Sequence, residues 1–131
     1  MLTQTPVSAT RDRRLVLFSI WIFVLLNYVY ADIVMVIFHP DVYQRAAQGM
    51  SQLTVLGAAV LMEVLIAMPL VTVLLKRPAA RWANVFGGIV GTAFVGVTLS
   101  PRAPWFYLFF GLIEIVCTLF IIWYAWSWRD E

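Results

Sequence analysis

From Leu15 to Phe38 the chain runs for 24 residues with a single charged side chain, Asp32. A helix needs about 20 consecutive apolar residues to cross a bilayer. Three further segments approach that description, at residues 53–75, 83–100 and 105–126. With no water in the hydrocarbon to satisfy backbone groups, only helices or closed barrels span it. None of the four segments shows the period-two alternation of a barrel strand. The expected fold is therefore all-α and integral to the membrane: an antiparallel four-helix transmembrane bundle over residues 15–131, after a tail at 1–14. The composition agrees, being 63% hydrophobic and 12% charged, where a soluble domain carries about 25% charged residues.

Val29-Tyr30-Ala31 has the form of a signal-peptidase site, but the apolar run continues through Ile33-Val34-Met35-Val36-Ile37-Phe38, as an anchor does. The third segment is the shortest and the richest in glycine. Pro40, Pro78, Pro101 and Pro104 fall at segment ends, where a missing N–H costs little. Pro69 falls inside the second segment and predicts a kink. Residues 1–10 read as a frayed tail. Residues 41–50 place Val42, Tyr43, Ala46, Ala47 and Met50 at helical spacing between polar residues. That pattern fits a short amphipathic helix on the membrane surface, or a partly helical loop.

Orientation follows from Lys and Arg near the span ends. Arg11, Arg13, Arg14, Lys76, Arg77, Arg81 and Arg129 fall on one side, and Arg45 and Arg102 on the other. Both termini are expected to be cytoplasmic, in a plasma (inner) membrane. Trp82, Trp105, Trp123, Trp126 and Trp128 lie near span ends, as an aromatic belt requires. A net charge of +2 with basic residues confined to span ends is no basic face, so nucleic acid is not an expected partner. Cys117 is the only cysteine, and one turn from Glu114 it reads as packing. One His, one Cys and scattered acids match no metal-ligand spacing. No cofactor motif or catalytic triad occurs.

Three ionisable groups lie within spans: Asp32, Glu63 and Glu114. Such groups are costly in lipid and usually face a bundle interior. Counted from the external end at 1.5 Å per residue, Asp32 lies roughly 9 Å deep, Glu63 and Glu114 roughly 14–15 Å, and Asn27 and Tyr28 roughly 15–17 Å. Tyr28 and Asp32, four apart, share one face of the first span. Gly111, Glu114 and Thr118 form a stripe on the fourth, with Gly111 leaving space above the carboxylate. On the third span Gly87 with Gly91, and Thr92 with Gly96, form small-xxx-small pairs. These supply close packing, within the bundle or against a second subunit.

A polar pocket opening outward and walled by the first, second and fourth spans is expected. With no Lys or Arg in any span, at least one acid is expected to hold its proton at neutral pH. A protonated acid beside a carboxylate and a tyrosine is a general acid/base set. It suits rearrangement, cyclisation or hydrolysis of a small lipophilic molecule. In that reading Glu63, Glu114 and Asp32 do the chemistry, and Asn27, Tyr28, Thr118 and Gly111 line the ligand site. The same groups also suit a proton- or cation-coupled carrier, or a hydrogen-bond network that fixes helix register in a scaffold or subunit. His39, at the end of the first span, reads as an interfacial cap. Tyr30 points away from Tyr28.

The stretches WIFVLLNYVYADI, MEVLIAM, RWANVFGGI and FFGLIEIVCTLFIIWYAW together resemble an uncharacterised prokaryotic family of small four-span proteins, the DUF6326 type. The resemblance covers about 110 of the 131 residues and is most specific at Asn27 to Asp32, Glu63, Arg81-Trp82-Ala83-Asn84, Glu114 and Trp123-Tyr124. It implies a four-helix membrane protein with these polar positions as family features, and it implies no activity.

Overall fold

A computed structural model of the chain describes residues 6–128, with side chains from Arg11 onward. Five helices follow in order: α1 (Pro6–Phe38), α2 (Pro40–Gln48), α3 (Gln52–Leu74), α4 (Arg77–Thr98) and α5 (Trp105–Trp126). No strand occurs among the described residues. The four long helices pack in a ring, α1 against α3, α3 against α4, α4 against α5, and α5 back against α1. Arg13 at the start of α1 reaches Tyr124 and Ser127 at the end of α5. The N-terminal part of α1 and the C-terminal end of α5 therefore share one end, called here the terminal end; α2 and the α4–α5 connection form the loop end.

Local sequence explains the boundaries. Proline sits in the first turn of α2 and of α4, where its fixed φ suits a helix start. Ser51 caps α3 by accepting the Thr54 N–H at 3.1 Å. α1 starts at Pro6, earlier than the expected frayed tail: nothing between Val7 and Arg14 breaks a helix, and arginines 13 and 14 are tied down further on. Residues 1–5 of that tail, and Arg129, lie outside the described residues. α3 stays helical through Pro69, which is buried.

Three helical segments are long and apolar enough to cross a membrane: Arg11–Phe38, Gln52–Leu74 and Trp105–Trp126. Much of their outer surface is apolar and uncovered, including Leu26, Ile37, Leu53, Leu70, Phe109 and Val116. A soluble monomer rarely exposes so much contiguous apolar surface. α4 falls short of that apolarity because its inward residues are small or polar. Gly87, Gly88 and Gly91 are buried and face the other helices of this chain. A Cβ on Gly87 would meet Met68 Sδ at 2.8 Å, and one on Gly88 would meet Ile122 Cγ1 at 2.6 Å. These glycines let α4 approach its neighbours closely.

The terminal half is filled and cross-linked. Trp21 donates its indole N–H to Asn84 Oδ1 at 2.8 Å, and Asn84 Nδ2 donates to the Ala80 carbonyl at 2.8 Å. The Thr72 hydroxyl lies 3.1 Å from the same Asn84 oxygen and 2.7 Å from the Met68 carbonyl. Trp21, Asn84 and Thr72 are fully buried, as are Leu17, Leu65 and Ile121. Helix C-termini leave carbonyls without intrahelical partners and carry partial negative charge, and arginines cover them. Arg14 donates to Thr72 and Leu75 carbonyls at 2.7 and 2.8 Å. Arg81 donates to the Trp126 carbonyl at 2.9 Å and stacks between Trp82 and Trp126. Trp128 is buried under Arg14 rather than facing an interface; Trp82, Trp105, Trp123 and Trp126 are exposed, as belt residues would be.

The loop half is looser. Every residue from Ser51 to Val60 is exposed, and a Cβ added at Gly57 or Gly96 would meet nothing within 4 Å. α2 is helical and buries no residue. Its Arg45–Asp41 pair, at 3.8 Å and exposed, contributes little to stability.

Candidate functional site

The ring of helices encloses a small cavity of about 50 Å³ just above the filled half. α1 contributes Tyr28 and Asp32, one turn apart, and α5 contributes Tyr107 and Glu114, two turns apart. α4 adds Phe94 and Thr98, and α3 adds only Met62. The Tyr28 ring stands edge-on to Phe94, with centroids 6.3 Å apart. Gly91 lies beside the phenol, and a Cβ there would meet Thr118 Cγ2 at 3.2 Å and Tyr28 Oη at an ordinary 3.6 Å.

Two atoms define the chemistry. Tyr28 is 7% exposed and Glu114 5%, yet Tyr28 Oη and Glu114 Oε1 are buried with no hydrogen-bond partner. Buried polar atoms are ordinarily hydrogen-bonded, and an unmet one costs about 1–3 kcal/mol. Glu114 lies within electrostatic reach of Asp32, Tyr28 and Tyr107. The nine lining residues include two acids and no base. A group that donates hydrogen bonds or carries positive charge would complete this set.

Asp32, Thr98 and Tyr107 also line a second, open cavity of about 710 Å³. These three shared residues are called here the throat, and the larger cavity the vestibule. α1 adds Met35, the α1–α2 junction adds His39, α2 adds Val42 and Tyr43, and the α4–α5 connection supplies much of the rest, including Arg102. His39 stands at the N-cap position of α2 without a side-chain cap hydrogen bond, and its ring stacks on Phe106 with centroids 5.7 Å apart. The Thr98 hydroxyl donates to the Val95 carbonyl at 2.9 Å.

The expected site residues divide. Tyr28, Asp32 and Glu114 come together. Glu63 does not: it is exposed, because α3 turns Leu65, Met68, Pro69 and Thr72 inward and Glu63 falls two residues, about 200°, from Leu65. Asn27 does not either, since its amide donates to the Phe23 carbonyl at 2.8 Å on its own helix. Thr118 is buried and pairs with Thr92 at 2.8 Å, joining α5 to α4 rather than lining the cavity. Gly111 leaves no open space: a Cβ would lie 2.5 Å from Leu99 Cδ2, so it is a close-packing position. The second span supplies only Met62, and α4 supplies Phe94, Val95 and Thr98. Tyr30 is exposed and meets Phe110 edge-on.

Tyr107 and Thr98 were not among the expected residues. The signal for Tyr107 was present: it extends the Gly111, Glu114, Thr118 stripe by one more turn. Among the described residues no group of three or more His, Cys, Asp or Glu side chains is placed to hold a metal. No curated protein and no solved structure matches the chain. A family model does, over residues 7–131, and the chain belongs to that family, a family of unknown function designated DUF6326.

Proposed function

We propose that this is a four-span membrane protein that takes a small amphipathic molecule from the loop end. The molecule's apolar body would lie in the vestibule, and its polar group would enter the throat toward Tyr28 and Glu114. The two buried, unpartnered polar atoms of the inner chamber carry this reading. The vestibule volume of about 710 Å³ falls in the range of small-molecule sites. Acid/base conversion of the ligand would fall to Glu114 and Asp32, because Glu63 is remote.

α4 counts as the fourth span in this reading. Its outward face carries Trp82, Phe86, Ile89 and Val97, all exposed, and its polar and small residues are the ones it turns inward. The basic residues at the terminal end favour a cytoplasmic location for both termini in a plasma membrane. Glu63 suits a separate role. A carboxylate on an apolar helix face is costly in lipid, so the exposed face of α3 around Glu63 is where this reading places a second copy of the chain.

Solvent extraction of purified protein followed by mass spectrometry tests the site. A small amphipathic species is expected in wild type and in Glu63→Gln. Loss of one charged hydrogen-bond partner should deplete it about tenfold or more in Glu114→Gln. Identical extracts from all three proteins would rule the pocket out.

A further inference from the structure

We infer that the inner chamber selects a primary ammonium head, so that the ligand class is an amphipathic primary amine. This deepens the reading above and rests on it. Size is the first ground. A cavity of about 50 Å³ admits a few water-sized groups, which accommodates –NH₃⁺ but not a head carrying three methyl groups. Hydrogen-bond sense is the second. An ammonium group offers three donors and no acceptor. The chamber offers Glu114 Oε1 and Tyr28 Oη, both nine-tenths buried and unpartnered, with Asp32 at the throat. Charge is the third, since two acids line the chamber and no Lys or Arg does. A carboxylate head would face both acids, and an alcohol would bring one donor where an ammonium brings three. The vestibule beyond supplies apolar and aromatic walls, among them Met35, Val42, Tyr43 and Trp105, for an alkyl or aryl tail.

The test is calorimetric titration of the full chain in lipid nanodiscs with four probes sharing one tail: n-hexylamine, n-hexyltrimethylammonium, n-hexanol and n-hexanoate. Empty nanodiscs correct for partitioning. Hexylamine is expected to bind saturably at one site, about tenfold or more tighter than the other three. Glu114→Gln should weaken it by a similar factor, Tyr28→Phe by less, and Glu63→Gln not at all. Asp32→Asn serves as a second acid variant should Glu114→Gln fail to fold.

If hexyltrimethylammonium matches hexylamine, the head does not enter the chamber and the inference is overturned. Equal, Glu114-dependent binding of hexanol or hexanoate overturns the ammonium assignment while leaving the pocket in place. Absence of saturable binding by any probe overturns the inference as well; the extraction experiment judges the pocket separately.

Discussion

Asn84→Leu is expected to destabilise the protein by roughly 2–4 kcal/mol, the sum of an orphaned buried donor and a lost hydrogen bond. Asn84 Oδ1 receives the Trp21 indole N–H and lies beside the Thr72 hydroxyl, at a point with no exposure. Leucine has similar bulk but no acceptor, so the indole N–H is left without a partner, while Thr72 keeps the Met68 carbonyl. The amide also loses its bond to the Ala80 carbonyl. Removing both partners of a buried hydrogen bond is far less costly than removing one. Trp21→Phe in the Asn84→Leu background should therefore recover part of the loss, as a double-mutant cycle of unfolding midpoints would show. If the two losses simply add, the bond does not couple α1 to α4 as described.

Gly88→Val is the second substitution with a large expected effect. An added Cβ would lie 2.6 Å from Ile122 Cγ1 and 3.1 Å from the Thr118 carbonyl oxygen. The isoleucine side chain can rotate away, but the helix backbone cannot yield without moving α5. Overpacking of this kind costs about 1–3 kcal/mol, and separating α4 from α5 also strains the Thr92–Thr118 contact at 2.8 Å. Gly57→Ala is the matched control, because its Cβ would meet nothing within 4 Å. There the change should be neutral or stabilising by up to about 1 kcal/mol, through reduced freedom of the unfolded chain. Thermal unfolding in detergent would compare the pair, and equal losses would contradict the packing assigned to α4.

The long helices were legible because apolar length and proline placement act locally. Ser51 and Pro40 mark boundaries that need no tertiary information. The shared depth of Tyr28 and Glu114 was legible for the same reason, since rise per residue is fixed along a helix. Azimuth was not. Glu63 has the right depth and the wrong face, because almost the whole surface of α3 is apolar and no stripe indicates which side turns inward. Gly111 and Thr118 lie on the predicted stripe but serve α4–α5 contact, a distinction that depends on where Leu99 and Thr92 sit. The arginines reveal a further limit. Arg13, Arg14 and Arg81 read as topology signals in sequence, yet the structure ties them to carbonyls at the ends of α3 and α5. A count along the chain does not reveal that structural role.

The account rests on a chamber open at the loop end above a filled terminal half. Cysteine accessibility tests this directly, in a Cys117→Ala background with a membrane-impermeant methanethiosulfonate reagent added outside intact cells. Thr98→Cys and Asp32→Cys are expected to react, faster than Thr72→Cys by on the order of tenfold or more, because a buried site reacts only through transient opening. Protection of Thr98→Cys, or equal labelling of Thr72→Cys, would contradict the open chamber and the closed end beneath it.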